Sequence, residues 1–253
     1  MSVSYGSAGT LAYSAQNGTS VAPAYPAVAS GNLLVLIIGM KPSTANSGSV
    51  TTPNGWTELT SIVGAGGYGT TLAAHTGNTN LFAYYKRASG SESGSLSVTV
   101  STNNICWAQI IKFTNSTGGW SVANTTGSDS TGDASLSISF STDPGVTAGD
   151  FVVGAICIPT DVTTPSQFSS QSFSQSGVVF ATATEVSEAD SSTGNDIGGM
   201  ICYSSVSSGT STGNPSMTAT AATTYTNVRG PGIFIRIRED IAPVTFIPRV
   251  III

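Results

Sequence analysis

Apolar residues recur along the whole chain in short blocks whose spacing is that of β-strands. In Leu96–Val100 and Leu136–Phe140 the apolar side chains alternate with Ser and Thr, as in a strand with one buried face. Leu33–Met40 and Phe151–Ile158 are apolar almost throughout, which predicts central strands buried on both faces. No stretch repeats its apolar residues with the 3.6-residue period of a helix. The pattern therefore predicts an all-β protein.

Further strands are predicted where apolar or aromatic runs are bounded by turn residues. These runs are Trp56–Val63, Leu81–Ala88, Ile105–Phe113, Val178–Val186, Met200–Ser205, Ser216–Ala221 and Ile233–Arg238. A composition with 29 Gly and 11 Pro suits many short strands joined by turns. Strands at this spacing are typical of a sandwich or a barrel.

The strand pattern occurs twice. Ala29-Ser30-Gly31-Asn32 precedes LLVLIIGM, and Thr147-Ala148-Gly149-Asp150 precedes FVVGAICI 118 positions later (149 minus 31). Leu81–Tyr84 corresponds in the same way to Met200–Tyr203. Such self-similarity predicts an internal duplication. The first copy would span residues 1–115 and the second residues 116–238, followed by a separate segment, 239–253.

The duplication leaves two arrangements open. Each copy could close a small sandwich of its own, or the two copies could pair into one two-sheet sandwich. A sheet with one apolar face must bury that face against another layer. We favour the shared sandwich, with a jelly-roll-like arrangement of strands.

The last fifteen residues, EDIAPVTFIPRVIII, differ from the rest of the chain. Pro243 and Pro248 exclude a helix and disfavour a central strand. This segment could fold back on the protein's own core or add to a neighbouring subunit as an extra strand. We favour subunit exchange, because the duplicated pattern is complete at Arg238. The predicted assembly residues are Ile241, Val244, Phe246, Ile247, Val250, Ile251, Ile252 and Ile253.

The net charge and its distribution limit which partners the protein can bind. The net charge is −5, and no Lys or Arg occurs between Lys112 and Arg229. Nucleic-acid binding needs a basic face, so we expect no nucleic-acid partner. The acidic residues of the second half predict an acidic surface, which serves solubility or, as the alternative, docks on a basic partner.

Cysteine usage and the N-terminus bear on the cellular setting. Cys106, Cys157 and Cys202 each lie in an apolar run, and an odd number without a pairing pattern predicts buried free thiols. The N-terminal residues show no secretory signal, and the longest apolar run is too short to span a bilayer. We therefore expect synthesis in a reducing cytoplasm and no membrane insertion.

Residues that could carry chemistry are few. His75 is the one histidine, and no Ser-His-Asp or Cys-His arrangement, phosphate loop or zinc pattern surrounds it. Residues 185–196, EVSEADSSTGND, are interpreted as a solvated acidic loop rather than a calcium site. We expect no catalytic residue, no metal and no cofactor, and hence no enzyme. Trp120 and Tyr85 are candidates for stacking on a glycan, whereas core packing is expected for Trp107.

The first copy also resembles a known family. The segments GNLLVLIIGM, TTPNGWTEL, LFAYYKRASGSESGSLSVTVS and ICWAQIIKFTN are similar to a β-sandwich module of phage virion proteins and bacterial surface proteins. The resemblance covers residues 29–160 well and 160–238 loosely, and its motifs are structural. It implies a virion protein that decorates a capsid or belongs to a tail or fibre, assembles as a homo-oligomer (a trimer as first expectation) and contacts other virion proteins. The alternative is a carbohydrate-binding or receptor-binding adhesin module that recognises a cell-surface glycan.

Overall fold

The computed structural model describes residues 3–44, 46–68, 75–101, 103–160, 168–221 and 228–240. The all-β class is confirmed, since every regular element in these ranges is a strand. The eighteen strands are β1 Ser4–Ala8, β2 Ala12–Tyr13, β3 Ser20–Val21, β4 Leu33–Pro42, β5 Ser49–Val50, β6 Thr57–Tyr68, β7 Gly77–Arg87, β8 Val98–Ser101, β9 Asn103–Thr114, β10 Trp120–Asp133, β11 Ser135–Phe140, β12 Phe151–Ile158, β13 Phe168–Ser174, β14 Val178–Phe180, β15 Thr184–Ser191, β16 Ile197–Gly209, β17 Ser216–Ala221 and β18 Val228–Glu239.

The strands form three antiparallel sheets. The first half of the chain forms a sheet of order β1-β9-β4-β7-β6, with β2 also paired to β9, and a small sheet of order β3-β8-β5. The second half forms one nine-stranded sheet of order β13-β17-β11-β10-β18-β12-β16-β14, in which β15 pairs with β16 beside β14. Strands far apart in sequence are neighbours in both halves, as in a jelly-roll-like sandwich.

The strand order of the first half recurs in the second. The run β9-β4-β7 corresponds to β18-β12-β16, and the run β3-β8-β5 corresponds to β11-β17-β13. The flanking strands correspond as well, because β1 pairs with β9 as β10 pairs with β18, and β6 pairs with β7 as β15 pairs with β16. The repeat predicted from sequence thus coincides with a repeat of topology, while its origin by duplication stays a prediction.

Three apolar clusters explain how the layers stack. One cluster lies between the two halves and joins side chains such as Val35 and Ile37 of β4 to Val153 of β12 and Ile235 of β18. A second lies inside the first half, and a third inside the second half. We expected one shared sandwich; the structure has the shared interface and also a separate core within each half.

Two long polar strands had no sequence prediction. β10 (WSVANTTGSDSTGD) and β13 (FSSQSFS) contain few apolar residues, so neither shows the alternation that marks a strand. β10 nevertheless pairs continuously with β18 from Trp120 opposite Glu239 to Asp129 opposite Gly230, and again, after an irregularity, at Asp133 opposite Val228. The interpretation of residues 185–196 as a loop was wrong for its first seven positions, which belong to β15. Pairing with a neighbouring strand, rather than the local pattern, determines the structure of these segments.

Candidate functional site

The base of the molecule is the end at which β18 finishes and the two halves are joined. It consists of the turn 115–119, the turn 29–32 before β4, and the last residues of β18. Glu239 Oε1 accepts hydrogen bonds from the Ser116 hydroxyl at 2.8 Å and from the backbone amides of Ser116 at 3.2 Å and Thr117 at 2.9 Å. Through Glu239 the turn between the halves holds the end of β18.

The hydrogen bonds at Glu239 also favour its charged form. The Ser116 hydroxyl, together with Thr117, lowers the pKa of the Glu239 carboxyl below its usual value. The next residue is held too, since the Asp240 amide donates to the Gly119 carbonyl at 3.0 Å. The predicted assembly residues, Ile241 to Ile253, lie outside the described residues. In the sequence they come directly after Asp240, which is held at the base.

An ion pair between Arg238 and Asp150 strengthens the base within the second half. Arg238 donates to both carboxylate oxygens of Asp150, at 2.7 Å each, and also to the Gly145 carbonyl and the Thr147 hydroxyl, at 2.8 Å each. Asp150 is only 1% exposed. A bidentate pair with a buried carboxylate is geometrically specific, so it fixes the end of β18 against the start of β12.

The two glycan-stacking candidates are both partly buried at the interface between the halves. Trp120 packs against the central apolar cluster, and its indole N–H donates to the Gly31 carbonyl at 2.8 Å. Tyr85 packs against the same cluster from β7, where it lies opposite Val35. Each ring therefore contributes to the join between the halves, and glycan stacking on them stays a prediction. Trp107 is buried as expected, with 1% of its surface exposed.

The opposite end of the molecule carries a polar cluster that the sequence did not reveal. Lys41, the next-to-last residue of β4, is fully buried and its amine donates to the carbonyls of Pro159, at 3.0 Å, and Asn195. His75 Nδ1 lies 3.3 Å from Asp196 Oδ2. Both contacts join the first half to the second. No sequence signal indicated them, because the partners lie more than a hundred positions apart.

The acidic surface expected for the second half is only partly present. Asp129, Asp150 and Asp196 are buried, with exposed fractions of 3%, 1% and 6%. Asp129 accepts from the Thr131 amide and hydroxyl and from the Ser137 amide. These carboxylates stabilise turns and strand ends, because a buried charge must find donors within the protein. The expectation that they form a surface was wrong for these three residues.

Comparisons with known proteins add no relative to this description. No protein-family model matches the chain, and a search of curated proteins gives no match. The resemblance to phage virion modules therefore stays a prediction. Within the described ranges, no group of three or more His, Cys, Asp and Glu side chains is placed to hold a metal ion. The same ranges contain no helix with the length and apolar character needed to cross a bilayer.

Proposed function

We propose that the chain is a structural component of a bacteriophage particle, as a capsid decoration protein or as part of a tail or fibre. The observation that carries this proposal is the backbone pairing of β18 near the base of the molecule. β18 is paired with β10 as far as Glu239, which lies opposite Trp120, and with β12 as far as Ile237, which lies opposite Phe151. Up to Ile237 the strand therefore has a partner on both sides without the segment that follows it.

The segment after β18 supplies the chemistry of assembly. Eight of its residues are large aliphatic or aromatic side chains. Burying one such side chain stabilises a protein by about 1.5–3 kcal/mol, so a segment of this composition has a strong tendency to dock. An extended segment that adds to the sheet edge of another subunit also satisfies its backbone hydrogen bonds. We propose that residues 241–253 join copies of the chain into a homo-oligomer, a trimer in the first instance, and attach it to other virion proteins.

The alternative is a glycan-binding adhesin. Its two candidate rings, Trp120 and Tyr85, are partly buried, and the Trp120 indole N–H is already bonded within the protein. These placements reduce the ring surface left for a sugar, so we rank the assembly function first.

The test is light scattering on a sizing column with the full chain and with two variants. Val244→Asp/Ile247→Asp places charges in the proposed assembly segment. The matched control is Val179→Asp on β14, where the side chain is 56% exposed. We expect a defined oligomer for the full chain and for the control, and a monomer with an unchanged circular dichroism spectrum for the segment variant.

A full chain that is monomeric at all concentrations would overturn the proposal. So would a segment variant that keeps the oligomeric state of the full chain. A glycan array with Trp120→Ala as the comparison then tests the adhesin, whose signature is saturable binding that this substitution abolishes.

A further inference from the structure

Two tyrosine rings stack on each other at the interface between the halves. Tyr5 belongs to β1 of the first half and Tyr203 to β16 of the second, and their ring centroids are 4.5 Å apart with an angle of 17° between the ring planes. Both rings pack against the central apolar cluster and are partly exposed. Among the ring contacts of the described residues, this is the one that joins two tyrosines. Two phenols from opposite ends of the sequence thus lie face to face.

Phenylalanine rings hold this pair from both sides. Phe113 of β9 lies edge-on to Tyr5 with a centroid distance of 6.0 Å, and Phe151 of β12 stacks on Tyr203 with a centroid distance of 5.5 Å. Aromatic contacts at such separations are favourable. The strands fix these positions, because Tyr5 is paired opposite Phe113 and Phe151 is paired opposite Ser205, two residues beyond Tyr203. Four strands therefore set the relative position of the two tyrosines.

The hydroxyl groups of the two tyrosines are close enough to interact. Burial, followed by the charge that Tyr203 carries when it is ionised, raises the pKa of Tyr5 above its ordinary value of 10.0. Tyr5 is therefore a neutral phenol at neutral pH. Because the rings are nearly parallel and their hydroxyl groups are neighbours, the ring carbons beside each hydroxyl face the other ring.

We propose that Tyr5 and Tyr203 are a site of oxidative cross-linking, at which a peroxide joins the two rings into a dityrosine. Each ring gives one electron to the oxidant and its hydroxyl proton to water. The two phenoxyl radicals form a bond between the carbons beside their hydroxyls, and the hydrogen on each of these carbons then moves to the oxygen. Hydrogen peroxide takes up the two electrons and two protons and becomes two molecules of water. The oxidant comes from outside the protein, and the partial exposure of both rings gives it access.

The cross-link joins β1 of the first half to β16 of the second by a covalent bond. A covalent link between residues far apart in sequence lowers the entropy of the unfolded chain, so we expect the oxidised protein to be more stable than the unoxidised protein. The site does not depend on the assembly proposed for residues 241–253, because both rings lie within one copy of the chain.

The experiment treats the full chain with hydrogen peroxide and a heme peptide that acts as a small peroxidase. We expect dityrosine fluorescence and a proteolytic fragment in which Tyr5 is bonded to Tyr203, lighter by two hydrogen atoms than its two separate parts. The midpoint of urea unfolding should rise after oxidation. A parallel reaction with free tyrosine shows that the oxidant is active.

Three variants test the site. Tyr5→Phe and Tyr203→Phe keep a ring in the stack and remove one hydroxyl, so each should abolish both the linked fragment and the rise in the unfolding midpoint. Tyr13→Phe is the matched control, because Tyr13 is 39% exposed and oxidation without a preference for the stack reaches it first. This variant should give the same linked fragment as the unchanged protein.

The proposal is wrong if the oxidised chain contains no dityrosine while free tyrosine reacts. It is also wrong if the cross-links involve Tyr13 in place of Tyr5 or Tyr203, or if they join two copies of the chain. The fragments of the unchanged protein distinguish these results from the expected one even if a variant does not fold.

Discussion

Asn32 and Asp150 make the same hydrogen bond at equivalent positions of the two halves. Asn32 Oδ1 accepts from the Ala29 amide at 2.8 Å, and Asp150 Oδ2 accepts from the Thr147 amide at 2.8 Å. The glycine before each, Gly31 or Gly149, has a φ of 89°, a left-handed conformation that glycine adopts without strain. The two turns are thus alike in sequence, backbone and side-chain bonding. Only Asp150 carries a charge, and only Asp150 binds an arginine.

The difference between the two residues predicts different costs of removal. Asn32→Ala loses one exposed hydrogen bond, so we expect a loss of about 1 kcal/mol in the free energy of unfolding. Asp150→Ala also leaves Arg238 without its carboxylate. We expect this variant to lose about 2–3 kcal/mol in the free energy of unfolding, a figure reduced to allow for the partial exposure of Arg238. Urea unfolding of both variants measures this difference. Equal losses would show that the Arg238 pair contributes nothing to stability.

Two arginines of β18 should respond differently to substitution by methionine. Arg236 is 7% exposed, and its Nε and Nη1 have no hydrogen-bond partner in the described part of the chain. Burial, followed by the charge of Arg238, lowers the pKa of Arg236. Replacing a poorly paired buried charge with an apolar side chain is often neutral or stabilising. We therefore expect Arg236→Met to leave the melting temperature unchanged or raise it, and Arg238→Met to lower it because Asp150 loses its partner. A large loss of stability in Arg236→Met would contradict this account.

The Trp107 ring requires glycine on both sides of the interface between the halves. A Cβ on Gly39 would lie 2.3 Å from the indole nitrogen, and a Cβ on Gly199 would lie 2.6 Å from the Trp107 ring. Overpacking of this kind costs about 1–3 kcal/mol, so we expect Gly39→Ala to destabilise the protein by that amount. Gly213→Ala is the control, because its nearest neighbour would be a carbon of Ser176 at 3.7 Å. If Gly39→Ala and Gly213→Ala both have the melting temperature of the unchanged protein, this explanation is wrong.

The cysteines should be unreactive in the folded protein. Burial raises the pKa of Cys106 to about 11 and that of Cys157 to about 12, and it raises the pKa of Cys202 as well. Only the thiolate reacts, so we expect no labelling by a thiol reagent at pH 8 in buffer and labelling of all three thiols in denaturant. Rapid labelling of a single cysteine in buffer would contradict the burial of that residue.

The same shifts set a limit on alkaline stability. An unfolded thiol ionises near its ordinary pKa of 9.0, whereas folded Cys106 stays neutral up to about 11. Stability from the neutral thiols is therefore complete below about pH 9 and is lost as the pH rises through 11. Unfolding free energies measured between pH 8 and pH 10.5 should decline, and replacement of Cys106 by Ala should reduce the decline.

Much of the fold was predictable because the main strands carry their own signal. The prediction for Phe151–Ile158 agrees with β12 at both ends, and Leu33–Met40 falls short of β4 by two residues. The two residues missed are Lys41 and Pro42. A lysine at the end of an apolar run normally indicates exposure to solvent, yet Lys41 is buried, because its amine donates hydrogen bonds to the carbonyls of Pro159 and Asn195.

Local sequence is enough to predict the all-β class, the positions of the apolar strands, the paired turns at Asn32 and Asp150, and the burial of the three thiols. Each of these depends on the order of apolar, polar and glycine residues within about ten positions. The pairing of the polar strand β10, the ion pair of Arg238 with Asp150, the contact between His75 and Asp196, and the bulge at Val186 in β15 depend on tertiary structure. In these cases a polar group takes its position from a partner on a distant strand, and no local pattern records where that partner lies.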